Sequence, residues 1–307
     1  MNRSTKGFSA YELLYLVGII AISFSSIFVK WSDADVAVIA MYRLYLTNLL
    51  LLPFAWKYRR ELFSLTRRQW LMLGASGAML GLHFLLWMAS LRLTTVASST
   101  VILTLEPVIV MLGSYWIYKT KANAAMLAGM GIAIIGSVVI GAGDFSLSGD
   151  ALAGDVLSFF GTVAVAVHML IGKGLRDSVG AFAYNFWVFL FAATALAFYN
   201  IGVGNPFTGY SSKEWGLFLL LAIVPTLFGH YLFNWLLKYM NATAVSMAVL
   251  GEPVISSLLA WLLLKEALSG YQLIAGAFIL SGVWLFIRFG QDKSEIAAKA
   301  AATGQQA

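Results

Sequence analysis

The sequence lacks cysteine altogether and has few charged residues. The absence of cysteine excludes disulfides, thiolate metal sites and cysteine nucleophiles. Only 11% of the 307 residues are charged, whereas a soluble domain carries about 25%. With 60% hydrophobic residues and a mean hydropathy of +0.83, the chain has more apolar surface than a soluble core of this size can hide. We therefore expect lipid to be the solvent for most of it.

Further absences narrow the possible functions. No GxxxxGK[ST] segment is present, so the sequence offers no P-loop for ATP hydrolysis. The net charge of +6 does not indicate nucleic acid as a partner, because the basic residues lie in short runs between apolar stretches, as topology signals do. No metal-ligand spacing joins the three histidines to each other or to the glutamates. We expect neither a metal nor a cofactor.

Ten apolar segments are long enough, or nearly so, to cross a membrane. Each has roughly 17–23 residues, close to the length that a 30 Å hydrocarbon core requires. The first has no small-residue cleavage site after it, which favours a retained helix over a signal peptide. We predict an all-α polytopic membrane protein. The ten predicted spans run from Leu13 to Val29, Val36 to Trp56, Trp70 to Ala89, Val96 to Tyr118, Ala124 to Ile140, Leu152 to Ile171, Phe182 to Val203, Trp215 to Leu237, Ala242 to Leu264 and Tyr271 to Ile287.

The basic residues divide unevenly between the two sides of these spans. If the N-terminus is cytoplasmic, 15 of the 20 lysines and arginines lie inside, four lie outside, and Arg43 lies within a span. Because positive charge is retained on the cytoplasmic side, we predict a cytoplasmic N-terminus. An even number of spans then places the C-terminus in the cytoplasm as well.

Two glutamate-proline pairs interrupt predicted spans four and nine. Glu106-Pro107 and Glu252-Pro253 lie 146 residues apart, each inside a long apolar run. A carboxylate at a bilayer centre costs about 2.5–3.5 kcal/mol, and a proline removes a hydrogen bond from the helix. Two such breaks at equivalent positions predict a duplicated polar interruption at mid-membrane, which is how many secondary transporters form a substrate site. We predict that Pro107 and Pro253 act as hinges.

The second half of the sequence repeats the first. When Leu91 is set against Leu237, the halves align without a gap for about 45 residues, and both contain Glu-Pro-Val-Ile. Each half has five predicted spans, and an odd number inserts successive repeats in opposite orientations. We predict ten transmembrane helices arranged as two inverted five-helix repeats around a central cavity. The predicted units are residues 1–143, residues 144–290 and a disordered cytoplasmic tail, residues 291–307.

Several stretches carry a family resemblance over about residues 12 to 288. They are Gly81 to Trp87, Ser98 to Thr100, Pro225 to His230, Asn234-Trp235, Leu250 to Pro253 and Tyr42-Arg43-Leu44. In these the chain resembles the EamA-like members of the drug/metabolite transporter superfamily. The resemblance implies a ten-helix, two-repeat permease of the plasma membrane, which moves small metabolites such as amino acids and often exports them. One departure is Lys119-Thr120-Lys121, where the second half has Lys265-Glu266, so symmetry does not support a role for Glu266.

Glu106 and Glu252 are the first candidates for the substrate or proton pathway. The residue before a proline is pushed away from helical angles, so each side chain should lie beside a distorted turn. A buried carboxyl is stable in its neutral form unless a cation is close. Such a group could exchange a proton for substrate or face a substrate ammonium. The alternative is a hydrogen-bonded carboxyl that fixes the kink between helices.

Arg43, His83 and His230 are further candidates for this pathway. Arg43 cannot shed its proton, so it could bind a substrate carboxylate or one of the glutamates; alternatively, it snorkels to a leaflet face. His83 and His230 could relay protons or bond neutrally to a neighbouring helix. His168 lies near a span end, and we expect a structural role for it.

Ser99, Trp87 and Trp235 complete the candidate set. Ser99 lies seven residues before Glu106, on the same helical face, while the second half has Val245 at the corresponding position. The alternative for Ser99 is close helix packing. Most tryptophans mark membrane interfaces, but Trp87 and Trp235 are the two that we expect in the cavity.

The leading hypothesis is a secondary transporter that works by alternating access, with a small-molecule substrate and the lipid bilayer as its partners. A rhomboid-type intramembrane serine protease is an alternative, because Gly74-Ala75-Ser76-Gly77 fits a G-x-S-G pattern. Its serine needs a histidine within hydrogen-bond reach, which only the fold could bring from His168 or His230. A passive channel is the other alternative. We do not expect an enzyme, and the sequence leaves the substrate and the choice between monomer and dimer open.

Overall fold

The computed structural model describes residues 10–144, 149–265 and 270–289. Within these ranges all regular structure is helical. Eight helices are long and apolar enough to cross a membrane, and the apolar parts of two others, Ala124–Val139 and Leu273–Phe286, are shorter. The predicted all-helical class is confirmed. The predicted tail, residues 291–307, lies outside the described residues.

The helices of the first half follow the predicted spans closely. Each span except the fourth is one continuous helix, and a short surface helix lies between the second and the third. The bounds are α1 Ala10–Trp31, α2 Val36–Ala55, α3 Arg59–Phe63, α4 Arg67–Leu93, α5 Val96–Leu103, α6 Glu106–Tyr118 and α7 Ala124–Asp144.

The second half contains more interrupted helices. The sixth, seventh and tenth spans are single helices, whereas the eighth contains a π-helical segment and the ninth contains both a 3₁₀ and a π segment. The bounds are α8 Gly149–Arg176, α9 Ala181–Val203, α10 Ser212–Leu221, the π segment Ala222–Tyr231, α11 Leu232–Leu236, α12 Ala242–Ser246, the 3₁₀ segment Met247–Gly251, α13 Glu252–Leu259, the π segment Ala260–Leu264 and α14 Gly270–Phe289.

Both glutamate-proline pairs begin a new helix. The chain turns at Thr104, whose N–H bonds to the Val101 carbonyl at 3.0 Å, and α6 then starts at Glu106. In the second half α13 starts at Glu252, directly after the 3₁₀ segment. Each proline thus occupies a first helical turn, where its missing N–H removes no hydrogen bond. The predicted breaks are therefore present at both positions.

The π segment explains a change in the spacing between the halves. Helix starts in the early part of each half lie 145 residues apart, as at Val36 and Ala181, or at Arg67 and Ser212. The later equivalents, such as the breaks at Glu106 and Glu252, lie 146 apart. A π turn accommodates one extra residue in a helix. The segment Ala222–Tyr231 lies between the two groups and can supply the additional residue.

Two further observations relate the halves structurally. Lys119 and Lys265, 146 residues apart, both end their helices in the left-handed conformation, with φ of 57° and 59°. Thr95 and Asn241, also 146 apart, each cap a helix by accepting a backbone N–H three residues ahead. Local chain geometry therefore repeats together with the sequence.

Helices α7 and α14 cross at glycines. A Cβ added at Gly129 would lie 2.7 Å from the Gly282 carbonyl oxygen, and one added at Gly136 would lie 2.7 Å from that of Ala275. Along α7 the contacting residue advances from 129 to 136, while its contact on α14 moves back from 282 to 275. The two helices therefore run antiparallel, and the glycines allow their backbones to touch.

The outer surface is apolar where a lipid face would be. Large hydrophobic side chains are exposed along the helices, among them Leu49, Trp116, Phe198 and Trp284. Buried apolar residues form two clusters, one built mainly on α2, α4 and α9 and the other including residues of α7, α12 and α14. Polar side chains are also buried between the helices, so the polar groups of the spans lie inside the bundle while its outer face is apolar.

The α7–α14 contact gives a direct test of the packing. We expect Gly282→Ala to destabilise the protein by about 1–3 kcal/mol, the usual cost of overpacking, because the added methyl would overlap the Gly129 carbonyl oxygen. Thermal unfolding in detergent measures the change. Gly131→Ala is the matched control, since its Cβ would meet nothing within 4 Å. Equal melting temperatures for the two variants would contradict this contact.

Candidate functional site

A cavity lies in the middle of the bundle, between helices of both halves. The walls come from α1, α4, α5, α6, α8, the eighth span and the ninth span. The lining residues are Ile22, Ser25, His83, Trp87, Leu103, Glu106, Val165, His168, Met169, His230, Phe233, Asn234, Val245, Val249 and Glu252.

Three pairs of lining residues occupy equivalent positions in the later part of each half, where the repeat spacing is 146 residues. They are Trp87 and Phe233, Leu103 and Val249, and Glu106 and Glu252. Both halves thus contribute equivalent positions to one cavity. The pairs are equal in chemistry at the glutamates and unequal at the aromatic position, where only Trp87 has an N–H. The cavity is therefore symmetric in its backbone and asymmetric in its polar groups.

The two predicted glutamates face each other across this space, close enough to interact electrostatically. Glu106 is 2% exposed and Glu252 is 5% exposed. Among the described residues, Glu106 Oε1 has no hydrogen-bond partner, and neither has the hydroxyl of Tyr15, a neighbour from α1. A buried polar atom without a partner is costly. Glu106 therefore offers the cavity an unused hydrogen-bonding oxygen.

Trp87 supplies the complementary group. It is 3% exposed, lines the cavity, and its indole Nε1–H has no partner among the described residues. Its ring lies parallel to that of His83, with 6.0 Å between centroids. An indole N–H can only donate. Trp87 and Glu106, which both line the cavity, therefore each have a buried polar atom without a partner among the described residues.

His83 and His230 approach each other within the bundle. Their ring centroids are 6.4 Å apart, and His230 also meets the edge of Phe84 at 5.0 Å. His83 Nδ1 lies 3.0 Å from the Gly161 carbonyl. Because a carbonyl can only accept, we place the hydrogen of His83 on Nδ1, which leaves Nε2 as an acceptor. The fold thus brings together two predicted candidates from different halves.

Arg43 lies behind the cavity wall and is completely buried. Its Nε and Nη2 donate to Thr226 Oγ1 at 3.0 and 2.9 Å, and its Nη1 donates to Ser25 Oγ at 3.2 Å. The guanidinium also lies 4.2 Å from the centre of the Phe84 ring. It is therefore held inside the bundle rather than snorkelling to a leaflet face. It reaches the cavity through Ser25, which lines it.

The π segment creates the acceptor for Arg43. Thr226 Oγ1 donates its hydrogen to the Leu221 carbonyl at 2.7 Å, five residues earlier. Pro225 lies beside it and has no N–H to donate. The hydroxyl is thus fixed with its lone pairs toward the guanidinium. The sequence signal for this arrangement is the Pro225-Thr226 pair, although nothing in it indicates the contact with Arg43.

His168, for which we expected a structural role near a span end, lines the cavity. It is buried deep in α8 rather than near a span end, and its Nδ1 lies 2.9 Å from Ser76 Oγ. The same Ser76 hydroxyl lies 2.9 Å from the Tyr184 hydroxyl. Asn234, a second lining residue, contacts the imidazole with its side chain. No spacing in the sequence connects these four positions, because the fold alone brings them together.

The structure places Ser99 and Trp235 away from the cavity lining. Ser99 Oγ bonds to Ser90 Oγ at 2.7 Å, and the Ser99 carbonyl accepts from Ser158 at 2.8 Å, which ties α4, α5 and α8 together. Trp235 lies against Tyr239 with ring centroids 4.6 Å apart. Its neighbour Asn234 faces the cavity instead, because adjacent helical residues point in different directions.

The serine protease hypothesis gains a histidine but no substrate access. His168 is within hydrogen-bond reach of Ser76, as a nucleophile would need. However, Ser76 is completely buried and is not part of the cavity lining. Its hydroxyl is also engaged by Tyr184. Within the described residues no group of three histidine, aspartate or glutamate side chains could hold a metal ion.

The chain is similar in sequence to known transporters and in fold to a protein of solved structure. The model of the EamA-like transporter family matches residues 9–142 and again residues 152–288. Two uncharacterized transporters of Archaeoglobus fulgidus are similar to the chain. One is 25% identical over 197 residues, which is 62% of this chain and 67% of the relative. The other is 23% identical over 270 residues, 84% and 89% respectively. A protein of known crystal structure has the same fold, with a TM-score of 0.76 at 18% identity over 92% of this chain and 98% of its own.

The environment of Arg43 predicts the effect of removing its acceptor. Thr226→Val should lower the free energy of unfolding by roughly 2–3 kcal/mol, because two guanidinium N–H groups would lose their partner in a buried position. Thr226→Ser keeps the hydroxyl and is the control. Chemical or thermal unfolding in detergent compares the two. A Thr226→Val variant as stable as Thr226→Ser would show that Arg43 does not depend on this hydroxyl.

Proposed function

The chain belongs to the EamA-like transporter family, and from this premise we propose that it is a secondary transporter that exports small metabolites by alternating access. The observation that carries the proposal is one central cavity to which both halves contribute equivalent residues, including Glu106 and Glu252. Secondary transporters bind their substrates at such repeat interfaces, near breaks in the helices. Both glutamates begin a helix at such a break.

The cavity chemistry favours a substrate with both a donor and an acceptor. Glu106 provides an unused oxygen and Trp87 an unused N–H, and both are buried. An ammonium group suits the carboxyl, while a carboxylate or carbonyl oxygen suits the indole N–H. Amino acids and related compounds carry both kinds of group. Binding then provides a partner for two protein atoms that have none among the described residues.

Several observations support two inverted five-helix repeats, 1–143 and 144–290, as the moving parts. The antiparallel crossing of α7 and α14 relates equivalent residues in opposite directions, because Ala275 and Gly282 correspond to Gly129 and Gly136. The family model matches twice, once in each half. The charge distribution along the sequence favours cytoplasmic termini in a plasma membrane.

One end of the bundle is closed by contacts to the turn between α1 and α2. The Glu214 carboxylate accepts from the Ser32 hydroxyl and, at 3.0 Å, from the Asp33 N–H. The Tyr42 hydroxyl donates to the Phe207 carbonyl. We call this region the Lys213 end, because Lys213 also forms an ion pair with Asp33 there, at 2.8 Å.

A matching set of contacts lies at the opposite end of the bundle, near the C-terminal end of α2. Gln69 Nε2 donates to Ser178 Oγ at 3.1 Å, and Trp187 Nε1 donates to the Leu62 carbonyl at 3.0 Å. We call this region the Ser178 end. Each of its four residues lies 145 positions from its counterpart at the other end. The pairs are Gln69 with Glu214, Ser178 with Asp33, Trp187 with Tyr42, and Leu62 with Phe207.

These equivalent closures favour alternating access, since each end could open while the other stays shut. The ends differ in charge. At the Lys213 end, the hydrogen bond from Lys213 holds the pKa of the Asp33 carboxyl below its ordinary value. The folded-state pKa is depressed, so the pair stabilises closure at neutral pH and loses that effect only as the pH falls into the acidic range. Both groups are exposed, so salt will screen the pair.

A reconstituted exchange assay tests the proposed function. Vesicles loaded with labelled amino acids or organic bases should exchange them faster when unlabelled substrate is present on the other side. Such stimulation distinguishes a transporter from a passive channel. We expect Glu106→Gln and Glu252→Gln each to slow exchange by about tenfold or more, the effect of losing one charge-assisted contact.

Asp150→Asn is the matched control for these variants, since Asp150 is exposed at the start of α8. Wild-type activity in both glutamine variants would leave the two carboxyls with a purely structural role. Failure of the wild-type protein to exchange any compound of the panel would argue against the proposed function itself.

Covalent closure of either end tests alternating access. The chain has no cysteine, so Asp33→Cys with Lys213→Cys, or Gln69→Cys with Ser178→Cys, introduces the only thiols. A short bifunctional thiol reagent should abolish exchange in either double variant, because both ends must open in turn. The four single variants, treated identically, should keep their activity. Full exchange with one end cross-linked would contradict the mechanism.

A further inference from the structure

Ser76, His168 and Tyr184 form a buried polar cluster where α4, α8 and α9 meet. The Ser76 hydroxyl lies 2.9 Å from both His168 Nδ1 and the Tyr184 hydroxyl. All three residues are at most 2% exposed. Only His168 lines the cavity. Ser76 and Tyr184 thus support the imidazole of a cavity-lining residue without lining the cavity themselves.

The hydroxyl of Tyr184 indicates which nitrogen of His168 carries the hydrogen. Among the described residues, the hydrogen-bond partner of that hydroxyl is Ser76 Oγ, at 2.9 Å. When Ser76 accepts from Tyr184, its own hydrogen can be donated to His168 Nδ1, also at 2.9 Å. A neutral imidazole that accepts at Nδ1 carries its hydrogen on Nε2.

The opposite edge of the ring then accepts a hydrogen bond. With its hydrogen on Nε2, His168 accepts from the Ser76 hydroxyl at Nδ1, and Ser76 accepts from Tyr184. The bonds thus run in one direction, from Tyr184 through Ser76 to His168, and Nε2–H lies outside this chain of bonds. The competing arrangement has Nδ1–H donating to the Ser76 carbonyl, at the longer distance of 3.2 Å.

This cluster has no counterpart in the other half. In the early part of the chain, equivalent positions lie 145 residues apart. The counterparts of Ser76, His168 and Tyr184 are therefore Leu221, Ser23 and Ile39. Ser23 bonds only to the Ile19 carbonyl of its own helix, at 2.8 Å. The Ser76–His168–Tyr184 cluster therefore makes the two halves chemically different at otherwise equivalent positions.

We propose that His168 is a substrate-contacting residue, which shares its Nε2–H with a carboxylate or carbonyl oxygen of the substrate, and that Ser76 and Tyr184 are its positioning residues. This proposal rests on the proposed transport function. His83 and His230, which also line the cavity, are close enough to His168 to interact with it electrostatically. Trp87 lines the same cavity and has an N–H without a partner among the described residues, so it is a second donor for a substrate oxygen.

The position of the hydrogen can be measured without any substrate. The chain has three histidines, so ¹⁵N-histidine labelling with His83→Gln and His230→Gln leaves His168 as the only imidazole signal. The ¹⁵N shifts should show an unprotonated Nδ1 and a protonated Nε2. In Ser76→Ala the preference should be lost, giving a mixture of both forms. An Nδ1–H form in the otherwise unchanged protein would overturn the positioning role.

Exchange kinetics test the substrate contact. The amide of a glutamine can place an N–H near the position of Nε2, whereas that of an asparagine cannot. His168→Asn should therefore raise KM by about tenfold, the effect of one hydrogen bond, and His168→Gln should recover part of the loss. Ser76→Ala and Tyr184→Phe should raise KM with little change in kcat, because they alter orientation only.

Thr162→Val is the matched control for a buried hydroxyl on α8. Thr162 bonds only to the Ser158 carbonyl of its own helix, at 2.8 Å, and we expect an unchanged KM. An unchanged KM in His168→Asn would overturn the substrate contact. If the wild-type protein exchanges no compound at all, the proposed function fails, whereas the ¹⁵N measurement still decides whether Ser76 and Tyr184 position the imidazole.

Discussion

The structure depends on one constraint: a polar group at membrane depth has no water to bond, so the protein or its ligand must satisfy it. Arg43 illustrates the first solution, with Thr226, Ser25 and the Phe84 ring around its guanidinium. Glu106 and Trp87 each have a buried polar atom without a protein partner in the described part of the chain, and under the proposed function the ligand supplies that partner. The apolar exterior and the polar interior follow from the same constraint, and so does the location of the site.

The two halves share one backbone arrangement, and the side chains that differ between them make the cavity chemically asymmetric. Equivalent prolines begin equivalent half-helices, equivalent lysines end them, and equivalent hydrogen bonds join the helices at the two ends. The second half contains a π segment, which fixes the acceptor for Arg43. It also contributes His168, which contacts Ser76 of the first half. A cavity that was symmetric in every side chain would offer the same groups to both ends of a substrate. This one offers a carboxyl oxygen at Glu106 and an N–H at Trp87.

Much of this could be predicted from the sequence, because the relevant signals are local. Apolar length predicts the helices, and each glutamate-proline pair marks its break within one residue. The cavity positions of Glu106, Glu252, His83, His230 and Trp87 agree with the candidates chosen from the sequence. The depth of His168 and its link to Ser76 could not be predicted, since the pair is separated by 92 residues. Trp235 and Asn234 show the same difficulty at short range, because one residue of helical rotation decides which of them faces the cavity.

The central claim is that one cavity between two halves is reached alternately from both sides of the membrane. A single cysteine introduced at Val245, which lines the cavity, reports this directly in a chain without other thiols. In oriented vesicles, a membrane-impermeant thiol reagent should modify that cysteine from either face, and transported substrate should slow the modification from both. Modification from one face only, or rates that no exchanged substrate affects, would contradict the account.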